Sequence, residues 1–447
     1  MSAIPQSVAA PDPAFVRETQ AIVDRERQKS LMLRVWILSG LFFMALPGTL
    51  LGFSNLMAIS THHGLGALSP AWIQGHGHAQ VFGWIGSFIL GIGFYSQPAK
   101  GRSPVRLPLM CFVLWTLGVG LRWMANIYGW HWRVLLPLSA SMELIAVLLF
   151  LSAARRHKLP GPVHGGAPKP KIELWMTTVL VGTAGLAATI VFNFVECVRL
   201  ALEGVSPSFP HDLDQRFLVL LAWGFLVPFV WGFSARWLHG FLAIPRPNAR
   251  LLRLALGIDL AGILCGVAGP TVPATVLLAL GALAIVPALG LFRRPQGAAK
   301  VQGIHRSFPF FVRISYVWLV IAGAMSVWAA LADVHGGIWG ASRHALTVGF
   351  AATMVFAIGP RILPHFAGIQ ALFSKRLMFL SLLLLQTGCT LRVGSEPLAY
   401  EGILAYAWKT LPVSGVLELA GVLIFALNLG ARLLWGKSAF ARPANIS

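Results

Sequence analysis

Two imidazoles enter one apolar run close together, in Gln74-Gly-His76-Gly-His78-Ala-Gln80-Val-Phe-Gly83-Trp-Ile-Gly86, and a third opens a later run, Ser342-Arg-His344-Ala-Leu-Thr347-Val-Gly349. Imidazole binds haem iron or copper and carries protons near neutral pH. Buried without a partner it is costly, so each of these side chains calls for a metal or a hydrogen bond. On a helix, residues two apart point about 200° apart around the axis. His76 then shares a face with Gln80 and Gly83, and His78 with Phe82, Ile85 and Gly86, which predicts two neighbouring sites and not one cluster. The glycines let a flat macrocycle or another helix approach closely.

Around this core stand weaker candidates. Of the thirteen histidines, His62, His63, His131, His211 and His335 join His76, His78 and His344 on one side of the expected topology, and His157, His164, His239, His305 and His365 take the other. His131 and His335 are the additional candidate metal ligands. Arg122, Glu143, Glu196, Asp259 and Glu418 are ionisable groups in or near apolar runs, where a charge is a functional candidate by default. Arg122 could meet an acidic cofactor group and Glu143 could relay protons; pairing of charges between helices is the plainer alternative. An echo links Arg236 and His239 with Arg361 and His365, an Arg followed by a His at the ends of two runs, and outlines a second, inner polar site. The four cysteines form no CxxC or CxxCH motif, so any haem would be held by ligands alone, b-type or similar.

The elements that must position these groups are membrane helices. The chain is 56% apolar and only 11% charged, far from the roughly 25% charged residues of soluble domains. Twelve runs are long enough to cross a bilayer, at about 35–56, 72–95, 107–127, 134–153, 172–197, 217–238, 254–270, 273–292, 314–332, 344–360, 377–393 and 411–434. Their unbroken apolar character excludes the alternating strands of a barrel. The fold class is therefore all-α, a polytopic transmembrane bundle of about twelve helices. The +20 net charge is not a nucleic-acid footprint: 28 Lys and Arg fall on the side of the N-terminus and six on the other, with Arg122 inside a span. That asymmetry predicts cytoplasmic N- and C-termini and basic loops lying against anionic lipid. We divide the chain into a tail at 1–32, a membrane domain at 33–436 and a tail at 437–447. No cleavable signal is apparent, and 13–29 has the composition of a short helix lying on the membrane surface.

His76-Gly-His78 with Phe82-Gly83, together with His344-Ala-Leu-Thr-Val-Gly349 through Arg361 and His365, resembles the NnrS family. The resemblance implies a twelve-helix bacterial inner-membrane protein that holds haem and copper and takes part in the response to nitric oxide. It departs from that family at Ala79, where an acidic residue is usual. The Gly83-Trp84 context also resembles subunit I of haem-copper oxidases and nitric oxide reductases, whose other signatures are missing. On this reading His78 and His344 are axial or metal ligands, His76 and His335 line a second position, and Arg122 and Gln80 complete the cofactor site. Partners would be lipid, a diatomic gas such as nitric oxide, and an electron-donor protein or quinol; redox turnover is left open. The alternatives are a histidine-lined transporter of a small ion, metal or metabolite, with helix breaks at Pro228 and Pro287, and a membrane anchor or assembly subunit.

Overall fold

The computed structural model describes residues 13–97, 105–155, 173–369 and 372–436; the first twelve residues, His157, His164 and the 437–447 tail lie outside them. Within them the chain is helical, with no strand, and twelve helices are long and apolar enough to span a membrane. These are α1 (Ala14–His62), α2 (Pro70–Ser96), α3 (Arg106–Tyr128), α4 (Trp132–Arg155), α5 (Leu174–Glu203), α6 (His211–Leu242), α7 (Ala249–Ala268), α8 (Thr271–Leu289), α9 (Phe308–Ala332), α10 (Gly337–Phe366), α11 (Lys375–Tyr400) and α12 (Ala407–Trp435). Helices satisfy their own backbone groups, which is why apolar runs of this length adopt no other form in lipid.

Each expected span is present, and most reach several residues further. The largest difference is at the start. The segment expected to lie flat on the membrane surface continues α1 as one helix. Lys29 pairs within this helix with Glu26 at 3.1 Å, and neighbouring helices contact it where Lys29 sits over the Tyr95 ring and Arg34 donates two hydrogen bonds to the Ala367 carbonyl.

The helices fall into three quartets, α1–α4, α5–α8 and α9–α12. In each, the first helix packs on the second and the third and fourth form a tight hairpin; each fourth helix leans on the next quartet's first, and α12 closes the ring on α1. The second helices are the innermost, with 61%, 67% and 61% of the apolar stretches of α2, α6 and α10 buried. All three widen into a π-helical turn about one third of the way along, at Ala79–Gly86, Val219–Leu226 and Ala345–Ala352. A fourth wide turn, Met44–Leu50, lies in α1 around Pro47. Such turns cost helix regularity and concentrate at functional sites. The breaks looked for at Pro228 and Pro287 are absent: Pro228 directly follows the wide turn of α6, and Pro287 sits near the end of α8, with the helix wound through both.

The quartets also share packing contacts. Gly118 of α3 has only enough room for the Glu143 side chain and the Ser139 carbonyl of α4; Gly388 of α11 faces Glu418 and Ser414 of α12 in the same way. Two sequence pairs underlie this match, Gly118-Val-Gly-Leu-Arg122 with Gly388-Cys-Thr-Leu-Arg392, and Leu136-Pro-Leu-Ser139-Ala-Ser-Met-Glu143-Leu with Leu411-Pro-Val-Ser414-Gly-Val-Leu-Glu418-Leu. In the middle quartet Gly262 faces Leu278 instead.

Candidate functional site

The wide turns surround a cavity of about 700 Å³, within the range that holds cofactors and small ligands. It lies toward the end of the bundle that carries the starts of α2, α6 and α10. Among the residues named from the sequence, His76, His78, Gln80, Arg122, His211, His344 and Glu418 line it. Residues that immediately precede the wide turns correspond across the quartets, so His78, Leu218 and His344 are equivalent positions.

His76 points toward α1. Its Nδ1 is 2.9 Å from the Gly48 carbonyl oxygen, and its ring fills the space left by the missing side chain of Gly52. A carbonyl can only accept, so Nδ1 carries the hydrogen and the neutral ring keeps its lone pair on Nε2. Gln80, one turn below, lies against Gly48 and donates to Thr49 Oγ1 at 2.8 Å. The wide turn and Pro47 thus open α1 where α2 needs room. His344 is tied in the same manner, its Nδ1 2.9 Å from the Gly340 carbonyl. A backbone carbonyl that fixes Nδ1–H and leaves Nε2 free is the usual support of a metal-binding imidazole. Beside His344, Arg392 and Glu396 form a two-pronged ion pair, both contacts 3.1 Å, and Glu396 Oε2 lies 3.9 Å from His344 Nδ1. Both rings line the same cavity.

His78 has a different role. It is 6% exposed, and its Nε2 lies 2.7 Å from Oε1 of Glu143, which is completely buried. The second carboxylate oxygen accepts from Asn193 Nδ2 at 3.2 Å, and Asn193 Oδ1 accepts from Arg122 Nη1 at 3.3 Å. Arg122 also reaches Cys197 and lies 4.8 Å over the Phe209 ring. A single polar chain therefore runs from α2 through α4 and α5 to α3, and its hydrogen bonds satisfy charges that would otherwise be prohibitive at this depth. The expectation that His76 and His78 face different neighbours holds, yet both border one cavity. Of the three imidazoles singled out from the sequence, His78 has its Nε2 engaged by Glu143, whereas His76 and His344 use Nδ1 for their hydrogen bonds.

The remaining candidates are elsewhere. His335 is exposed and 3.5 Å from Glu401. His131 is an exposed turn residue with φ of 43° against Trp130. Neither lines the cavity. At the opposite end of the bundle lie the members expected to form the inner polar site, with Arg361 against the segment of α6 that follows His239. Arg236 stacks on Trp175 and pairs with Glu173, and Arg361 covers the Phe241 ring and bonds the Lys300 carbonyl. His239 keeps a buried Nδ1 without a hydrogen-bond partner among the described residues, and His365 is exposed. Among the described residues no three His, Cys, Asp or Glu side chains group within reach of one metal ion, so the three-imidazole copper arrangement is not assembled there.

Six charged cavity residues escaped the sequence reading as site members: Asp212, Asp214, Arg216, Arg343, Arg392 and Glu396. Arg343 keeps Nη2 buried without a hydrogen-bond partner among the described residues. The match of Leu121-Arg122 with Leu391-Arg392 was the available signal. It becomes visible once the hairpins are superposed in register by Gly118 and Gly388. The segment before α6 covers this end of the cavity, held by Gln74, whose amide bonds both the NH and the carbonyl of Phe209 at 2.8 and 3.0 Å.

A protein-family profile described as a domain of unknown function (DUF8744) matches residues 218–432. This stretch, just under half of the chain, contains His344, Arg392, Glu396 and Glu418 and leaves the first quartet outside. No curated protein matches the sequence.

Proposed function

We propose that this multi-pass membrane protein holds a non-covalent, b-type haem in the cavity, with Nε2 of His76 and Nε2 of His344 directed at the iron, and that it interacts with nitric oxide or a similar diatomic gas. One observation carries the reading: two imidazoles on separate helices border one cavity, each with Nδ1–H committed to a backbone carbonyl. The rest of the wall suits the group. Trp84, Phe217 and Trp223 offer apolar surface, and the unpartnered Arg343 Nη2 is a donor for a carboxylate. When bound, haem supplies a redox-active iron with affinity for diatomic gases. The chain's own residues hold the rings in one tautomer, cap the cavity with Phe209, and provide a hydrogen-bonded path from His78 to Arg122. An uncharged gas partitions into lipid and needs no polar pore to arrive.

The resemblance to NnrS and the loop charges together support placement in a bacterial inner membrane with both termini cytoplasmic, and an electron-donor protein or quinol as redox partner. Copper is the weaker part of the proposal, since a third ligand is missing beside the two imidazoles among the described residues. The transporter alternative has one observation in its favour, four wide turns arranged around a cavity lined by both Arg and Glu side chains.

The test is an optical spectrum of the purified protein, oxidised and dithionite-reduced, with metal analysis and added nitric oxide. A Soret band that shifts with the gas and is lost or displaced in His76→Ala and His344→Ala is expected, with His78→Ala retaining it. A protein without a Soret band after expression with haem supply overturns the proposal in favour of transport.

A further inference from the structure

Glu418 and Glu143 occupy matching places in their hairpins, each one turn after a serine and pressed against a glycine of the partner helix. Their surroundings differ. Glu143 has both oxygens bonded, to His78 and Asn193. Glu418 Oε1 is buried without a hydrogen-bond partner among the described residues, while the side chain borders the cavity. From α11 it is faced by Arg392, Glu396 and Cys389, but Arg392 is committed to Glu396 through both of its contacts. The other helices packed on α12 present Phe53 and Leu56 from α1 and Phe356 from α10, which neutralise nothing.

We propose that Glu418 is a proton-binding site open to the cavity, holding its proton as a neutral carboxylic acid in the resting protein and exchanging it with the cavity contents. An ionised carboxylate in this setting would lack both a counter-charge and donors, and burial then favours the neutral acid. A cavity wall gives the proton a route that a sealed core would deny it. The inference stands apart from the haem reading, since it depends only on Glu418 and its neighbours.

A hydrophobic carbodiimide tests it on the full-length wild-type protein in lipid nanodiscs. A protonated carboxylic acid adds across the carbodiimide C=N bond, its proton passing to nitrogen, and the adduct rearranges to a stable acylurea that peptide mass spectrometry locates. The expected result is modification of Glu418 near neutral pH, severalfold above that of Glu143, declining severalfold as the pH is raised from about 6 to about 9. Infrared spectra should show the carbonyl stretch of a weakly bonded carboxylic acid that is missing in Glu418→Gln. The wild-type map needs no variant to fold. An unmodified Glu418 in folded protein, equal labelling of Glu143, or protection by sodium ions in place of raised pH would overturn the proposal.

Discussion

His78 can be either a ligand or the partner of Glu143, and a double-mutant cycle separates the two. Replacing Glu143 by Ala removes two hydrogen bonds, at 2.7 and 3.2 Å, and strands the His78 and Asn193 donors in a fully buried site. An unsatisfied buried donor costs about 1–3 kcal/mol, and removing one member of a buried charged pair about 3–5 kcal/mol, so we expect about 3–5 kcal/mol of destabilisation. His78→Ala should cost a similar amount. The double variant should lose less than the sum by roughly 2 kcal/mol, the order of coupling energies between contacting residues. Reversible unfolding in mixed micelles, followed by tryptophan fluorescence, gives the three differences, and the optical spectrum is recorded on each variant. Additivity to within about 0.5 kcal/mol, or loss of a Soret band in His78→Ala alone, would refute the assignment of His78 to Glu143.

Three further outcomes follow from the geometry. Gly52→Val places a side chain on the His76 ring, since even a β-carbon there comes within contact distance of the imidazole; His76 must move, and haem content should fall at least as far as in His76→Ala when measured by pyridine haemochrome. Arg392→Gln leaves Glu396 buried with one neutral donor in place of a two-pronged ion pair; a loss of about 2–4 kcal/mol is expected, with Arg392→Lys restoring only part because a single ammonium cannot reproduce both contacts, as read by the same unfolding assay. His305, in the loop before α9, accepts hydrogen bonds from Ser307 at Nδ1, and burial followed by the nearby Arg306 charge holds its imidazole below the usual pKa. A lowered histidine pKa means stability present above the unfolded value of about 6.5 and lost as the pH falls through the folded one; thermal melts between about pH 7 and pH 5 should drop slightly more for wild type than for His305→Asn.

The sequence made the bundle legible because lipid permits so few solutions: run length, apolar continuity and sparse charge were enough to find all twelve helices. It also named residues that border the cavity, among them His76, His78, Gln80, Arg122, His344 and Glu418, but divided the histidines between two sites where the structure has one space. What it could not provide was rotation at the level of single atoms. Helical periodicity put His76 and His78 on different faces, but only packing shows that Glu143 occupies the His78 Nε2. Regular periodicity was itself the obstacle further along, because the wide turns at Ala79–Gly86 and Ala345–Ala352 shift every residue after them relative to an ideal helix. The surface position of His335 and His131 depends on loop geometry, for which apolar patterning has no signal. The seating of Arg236 on Trp175 and of Arg361 on Phe241 likewise follows from aromatic neighbours supplied by other helices.

The three-quartet arrangement explains why chemistry gathers where it does. Equivalent positions in α2, α6 and α10 carry His78, Leu218 and His344, and the hairpins behind them carry Glu143, Leu278 and Glu418. The middle quartet is thus apolar at both places, and Gly266 stands where the outer quartets have Arg122 and Arg392. Gly266 and Leu278 border the cavity, so losing the polar set there exchanges charge for space. The first quartet closes its polar set with one residue of the second, His78 bonding Glu143 and Asn193 of α5 bridging Glu143 to Arg122. In the third quartet, Arg392 turns to Glu396, so His344 keeps Nε2 free and Glu418 keeps an unbonded oxygen. His76 belongs to the first quartet but lies two residues before the repeated position, outside that closed chain, which is why it can face the cavity. The ligand-binding and proton-exchanging sites proposed above sit where the two polar sets differ, and matching the sets with Asn126→Glu should draw Arg122 away from Asn193 as Glu396 draws Arg392. The coupling between His78 and Glu143 would then change while His76 and His344 remain as they are, an outcome read by repeating the double-mutant cycle in that background; an unchanged coupling would show that the two sets are alike in sequence only.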